Sequence, residues 1–339
     1  MAKKQYYFER KPLPPSNAPA AKQIDGGDQA FRASENLGRN LEQTWAGALS
    51  FCRRRYSRDL KGVDVAVSGI PLDLAVTYRP GTRLGPRGVR AASVQLAELD
   101  AHPFRFDPFS HLAVVDYGDC ELVFDHADTI PASIEDHIYN IISQGVKSAT
   151  IGGDHFITYP ILRAHHRVHG QVALLQFDAH PDTWPDDGKQ MNHGTMFTRA
   201  IQDKLIIPEK SLQVGIRTVA PEYGIKTITA DEVHDVGVAG VLKAIGDTIG
   251  DTPCYLTFDI DCLDPSHAPG TGTPVAGGLT SREALKIIRG FQTIKGLNIV
   301  GCDMVEVSPP FDISEITSLA GAHILHDIIC QWAWQKIDG

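Results

Sequence analysis

The chain alternates between short, almost wholly apolar runs and longer segments with helical spacing. The apolar runs are VDVAVSGIP (63–71), LAVVD (112–116), SATIGG (148–153), VALLQFD (172–178), LQVGIR (212–217), CYLTFDID (254–261) and LNIVGCDMVEV (297–307). They are short, rich in β-branched residues and bounded by turn formers, so they read as strands buried on both faces. Helical patterning lies between them: from Pro86 onward, over 130–145, 159–169, 238–249 and 281–291, and from 314 towards 336. The stretch 31–55 is amphipathic and also predicts a helix. Strands apolar on both sides and separated by helices imply an α/β fold, a parallel sheet with helices covering both faces. Residues 1–30 are rich in Pro, Lys and Ala with no hydrophobic period, and read as an N-terminal arm.

With 339 residues, one large domain is the economical division of the chain. The 32 basic and 41 acidic residues give a formal charge of −9, which argues against a nucleic-acid partner and suits a cationic substrate. Six cysteines without a CxxC pair read as reduced thiols of a cytoplasmic protein. The first residues carry positive charge but no apolar core of a secretory signal, and no uncharged apolar stretch is long enough for a membrane span.

The polar residues that matter follow the apolar runs directly. IGGDHF supplies Asp154 and His155, and FDAHPD supplies Asp178, His180 and Asp182; FDIDCLDP supplies Asp259, Asp261 and Asp264, and MVEVSPP supplies Glu306. Ligands of open α/β sheets bind at the carboxyl ends of strands, where all four motifs fall. Each motif alone is weak, because an isolated Asp-x-Asp is commonly a turn or a helix cap. Together they would gather many carboxylates at one sheet edge, where divalent cations relieve the repulsion. Mixed carboxylate and imidazole donors suit Mn²⁺, Fe²⁺, Co²⁺, Ni²⁺ or Zn²⁺, and the donor count suits two ions, a pair that activates water at neutral pH.

GGDH, DAHPD and FDIDCLDPSHAPGTGTPVAGGL resemble the signature blocks of the arginase/agmatinase (ureohydrolase) family. GIPLDLAVTYRPGTRLGPRGVRAAS, MNHGTMF and MVEVSPPFD are similar to agmatinase-type members, and the likeness spans about residues 60–335. The resemblance implies a three-layer α/β/α domain over 31–339 with a mostly parallel eight-stranded sheet, usually assembled as trimers or hexamers. It implies two Mn²⁺ ions, one held by His155, Asp178, Asp182 and Asp259, the other by Asp178, His180, Asp259 and Asp261. Ni²⁺ and Co²⁺ are the other metals considered. It further implies that Glu306 pairs with the substrate guanidinium, that His193 of MNHGTMF shuttles protons, and that Asp182 passes on the proton of the attacking water. The products would be urea and an amine.

The substrate is less sharply marked. The loop TWPDDGKQMN (183–192) lacks the Asn- and Ser-rich pattern with which arginases grip an amino-acid head. Trp184 and Met191 are candidates to pack on an aliphatic tail, Asp186 (with Asp187) to attract a terminal amine, and Asn192 to line the same mouth. Asp186 and Asp187 read equally well as a solvated turn, and it is the overall resemblance that makes agmatine, cleaved to putrescine and urea, the leading substrate. Arg79 and Arg83 would instead favour guanidinobutyrate or guanidinopropionate if they reach the pocket, and guanidine or a biguanide completes the set. Two other classes stand beside this reading. A deacetylase-like amide hydrolase uses one zinc and lacks the full donor set, and a non-catalytic subunit would pair with an active paralogue. His165, His166, His169, His323 and His326 fall on helices and read as structural.

Overall fold

A computed structural model describes residues 27–338 of the chain. The arm expected over 1–30 lies almost wholly outside the described residues. Eight strands form one sheet in the order β2-β1-β3-β8-β7-β4-β5-β6. These are β1 (Val65–Ile70), β2 (Val114–Asp119), β3 (Lys147–Gly152), β4 (Ala173–Phe177), β5 (Leu212–Ile216), β6 (Lys226–Thr229), β7 (Pro253–Asp259) and β8 (Asn298–Val305). Every adjacent pair is parallel. Successive side chains of a strand point to opposite faces, and the core divides accordingly. Ala173, Leu175 and Phe177 of β4, with Cys254, Leu256 and Phe258 of β7, join one apolar cluster; Leu174 and Tyr255 join the other.

The first cluster is closed by α2 (Gly85–Ser93), α6 (Ala230–Ile249), α7 (Ser281–Gly290) and α8 (Ile316–Asp338). The second is closed by α3 (Ile130–Ile142), α4 (Thr158–His169) and the short α5 (Met196–Gln202). The result is the three-layer arrangement expected from the strand and helix pattern. Helices α6 and α7 each start at a reciprocal cap, Thr229 with Glu232 and Thr280 with Glu283. Gly237, at φ 66°, breaks α6 into two pieces, and the second matches the helix read from sequence at 238–249. Among the described residues, no helix is long and apolar enough to cross a membrane.

Two expectations fail. The helix over 31–55 is confined to α1 (Gln29–Arg32), and most of the segment is irregular. Its carbonyl groups are taken by two buried guanidinium groups: Arg53 donates to Ala48 and Gln43 O at 3.0 Å, and Arg54 to Gly38 O at 2.7 Å. Strand β6 has no counterpart in the sequence reading. It is a four-residue edge with one buried position, too short to show a period.

Candidate active site

The four acid-bearing motifs converge at the carboxyl ends of β3, β4, β7 and β8, which are contiguous in the middle of the sheet. After β3 the chain must pass against the Leu72 backbone. A side chain at Gly153 would sit 1.8 Å from Leu72 O, so only glycine lets His155 enter at this point. Asp182 and Glu306 hold left-handed backbone conformations, φ 54° and 62°, which are uncommon for non-glycine residues and cluster at functional sites.

His155 is buried, and its Nδ1 lies 3.0 Å from Asp178 Oδ2, 3.0 Å from Asp182 Oδ2 and 3.2 Å from Asp259 Oδ2. Despite that proximity, Nδ1 has no hydrogen-bond partner of acceptable geometry. The atom points into the space between the carboxylate oxygens, where a cation fits and a hydrogen bond does not. A second group lies beside it: His180 Nδ1 is 3.1 Å from Asp261 Oδ2 and 3.5 Å from Asp178 Oδ1. Asp178 thus offers one oxygen to each group, and both sets have the donors of a divalent-metal site. Asp259 belongs to the first set, while its Oδ1 accepts the Asp261 backbone N–H at 2.8 Å.

Within the two groups the carboxylates and imidazoles shift one another's titration. Burial disfavours a charged ring at His155 and His180, yet the carboxylates outweigh it, lifting His155 well above its usual range and His180 to about 12. Burial pushes Asp182 up to about 7, with Asp178 adding to the rise, and burial together with Asp261 and Asp178 raises Asp259 as well. Asp178 is the exception. Burial would raise it, but the two imidazoles hold it well below the usual carboxylate range. Divalent cations bound to these donors would favour neutral imidazoles and charged carboxylates.

Glu306 is buried beside the first group. Its Oε1 accepts the His155 backbone N–H at 2.8 Å and lies 2.8 Å from His193 Nδ1, while Oε2 has no partner. Across the His193 ring, Nε2 receives the Thr77 backbone N–H at 3.1 Å and lies 2.8 Å from Thr77 Oγ1. Burial works against a charged His193, but Glu306 outweighs it and carries the ring to about 9.

A cavity of about 360 Å³ opens on His180, Asp182, Asp259 and His193, and its wall includes Thr77, Trp184, Asn192, Gly194 and Thr273. Gly194 leaves room for the indole: a Cβ there would lie 3.1 Å from Trp184 Cε3. Of the four tail-contact candidates, Trp184 and Asn192 reach this cavity, and Asp186 and Met191 do not. Asp186 is turned to Arg199 of α5, whose Nε and Nη2 donate at 2.6 and 2.8 Å. A carboxylate so paired offers no free charge to an amine. Met191 packs on the second apolar cluster. The arginines expected to favour an acidic tail are also engaged elsewhere. Arg83 pairs with Asp73, and the Arg79 guanidinium lies over the rings of Tyr78 and Phe311, 5.0 and 5.1 Å from their centroids. Asp154 and Asp264 stand outside the two groups. Asp154 holds the Ala75 N–H at 2.9 Å, and Asp264 ties Ser266 and Gly277 into a turn.

Gln176, Gln213 and Thr77 escaped the sequence reading. The two glutamines are signalled only by their polarity within otherwise apolar strands. His326, Asp327 and Cys330 form a further buried group on α8. There Arg289 already holds Asp327 at 2.6 Å, and Phe109 packs edge-on against His326.

Comparison with known proteins matches this arrangement. Residues 63–330 match the model of the Arginase family, and the chain belongs to that family. It is 57% identical over 316 residues to an agmatinase of Chromobacterium violaceum, covering 92% of this chain and 97% of that protein. A crystal structure of a hypothetical agmatinase from Burkholderia thailandensis superposes with a TM-score of 0.89 at 53% identity, covering 91% of this chain and 98% of that one. Proclavaminate amidino hydrolase from Streptomyces clavuligerus superposes with a TM-score of 0.80 at 36% identity, covering 86% and 99%.

Proposed function

We propose that this chain is a binuclear-metal ureohydrolase that cleaves agmatine to putrescine and urea. The observation that carries the chemistry is His155 Nδ1, unpartnered and aimed between three carboxylates, beside a second group that shares Asp178. Kinship with agmatinases over most of the chain supports the substrate. The site agrees, since among the described residues no arginine lines the cavity to greet an acidic tail.

His155, Asp178, Asp182 and Asp259 would hold one ion, and Asp178, His180, Asp259 and Asp261 the other. Mn²⁺ is the first candidate, and Co²⁺ and Ni²⁺ suit the same donors. When bound, such a pair supplies Lewis acidity and lowers the pKa of water. The rest falls to the protein. Glu306, with Oε1 fixed and Oε2 free, presents a carboxylate edge to the planar guanidinium. Asp182, 3.0 Å from His155 Nδ1 and on the cavity wall, takes the proton of the attacking water. Charged, His193 gives its Nδ1 proton to the leaving amine, keeps the Nε2 proton directed at Thr77 Oγ1, and regains a proton at Nδ1 from solvent in the cavity. Trp184 walls the aliphatic tail, with Asn192 at the same mouth.

Residues 31–339 form the catalytic domain in this reading. Six buried free cysteines favour a reducing cytoplasmic setting, with the chain in a homo-oligomer, a trimer or hexamer. A urea-release assay on the Mn²⁺-loaded protein across agmatine, guanidinobutyrate, guanidinopropionate, guanidine and arginine tests the proposal. Agmatine should give the highest kcat/KM, and turnover confined to another guanidine would overturn the substrate assignment.

A further inference from the structure

Beneath the two carboxylate groups runs a buried polar chain that none of the roles above uses. Gln176 on β4 and Gln213 on β5 are buried within strands whose other positions are almost all apolar. The strands pair in register, Gln176 opposite Gln213 and Gln213 opposite Thr227, which brings three polar side chains into line. Their bonds run one way. Thr227 Oγ1 donates to Gln213 Oε1 at 3.2 Å, and Gln213 Nε2 donates to Gln176 Oε1 and Pro181 O, both at 2.7 Å. Gln176 Nε2 donates to Asp178 Oδ2 at 2.8 Å and to His180 O at 3.0 Å.

The direction is forced. Each amide nitrogen faces two oxygen acceptors, so neither amide can turn over without setting oxygen against oxygen. The consequence falls on Asp178. Its Oδ1 receives the His180 backbone N–H at 2.7 Å, and its Oδ2 receives Gln176. Each oxygen is thus held by one protein donor and retains a lone pair for the group it faces. The same two amides grip the carbonyls of His180 and Pro181, the turn that carries His180 and Asp182.

We propose that Gln176 and Gln213 are positioning residues for Asp178: the relay orients this one carboxylate so that it can bridge two cations. The inference rests on the binuclear reading above. Outer partners of metal ligands typically change metal affinity about 10–100-fold when removed. In a buried site, an unsupported bridging carboxylate is free to turn both oxygens to one ion.

The test uses Mn²⁺ with the full chain and two substitutions, Gln176→Met and Gln213→Met, which preserve length and remove the amide. Electron paramagnetic resonance of the loaded wild type should show the signal of a spin-coupled Mn²⁺ pair. For Gln176→Met the coupled signal should give way to uncoupled Mn²⁺, and affinity by chelator competition should fall about 10–100-fold. Gln213→Met should do the same more weakly, because Gln176 keeps its bond to His180 O. Circular dichroism of the metal-free variants reports folding; should Gln176→Met not fold, Gln213→Met and Thr227→Val carry the test. Folded variants with wild-type coupling and affinity would overturn the relay and leave the binuclear reading standing. A wild type that takes up no coupled pair would overturn both.

Discussion

Glu306 Oε1 lies 2.8 Å from His193 Nδ1, so the residue assigned to the guanidinium is already paired with the residue assigned to the proton. In a buried site neither group would be left unpaired. A guanidinium that engages Oε2 and reaches Oε1 as well competes with the imidazole there, which frees the ring nitrogen as the substrate arrives. Glu306→Gln, which keeps shape and removes charge, should lower kcat/KM by about two to three orders of magnitude. Metal content measured by atomic emission should be unchanged.

His193→Ala should retain both ions and lose mainly kcat, by about 10²–10⁴-fold. A wild-type pH–rate profile for this variant would remove His193 from proton transfer.

Asp186 and Arg199 tie the loop that carries Trp184 to α5. Removing one partner of this half-buried ion pair costs about 1–2 kcal/mol, between the surface and the buried limits. Arg199→Met should therefore lower the melting temperature and raise KM for agmatine, and Asp186→Asn should follow it in both. If Asp186→Asn raised KM with stability intact, Asp186 would be a substrate ligand after all.

His137 and His165 are buried neutral, their pKa values pushed down by burial to about 4 and about 3. Unfolding returns them to ordinary values, so the unfolded chain binds more protons below about pH 6.5. Stability should thus decline as pH falls from about 6.5 towards 4, the window between unfolded and folded values. Thermal melts of His165→Gln should show a shallower decline than wild type over that range.

Ions that bind only the folded chain stabilise it by mass action, about 2.7 kcal/mol per site at a hundredfold excess over Kd. Removing metal with a chelator should lower the melting temperature, and adding Mn²⁺ should restore it. Asp259→Ala, lacking a ligand, should be activity-dead and show a smaller response to metal.

The architecture was legible wherever burial dictated composition. Strands β1, β4 and β7 are predominantly apolar runs because helices cover both their faces. The acids that follow them stand out because carboxylates are costly there. Reading failed where a distant partner decides the outcome. The segment 31–55 has helical periodicity, but Arg53 and Arg54 capture its carbonyls. Asp186 looked available because its partner lies thirteen residues on, across a turn of the loop. Gln176 and Gln213 look like flaws in their strands until the sheet register brings them together.

The central claim is that Asp178 stands between two cations. Anomalous diffraction from crystals of the Mn²⁺-loaded protein tests it directly. The account predicts two peaks per chain, one among His155, Asp178, Asp182 and Asp259, the other beside His180 and Asp261, with one Asp178 oxygen on each. A single peak, or none with these side chains in place, would contradict it.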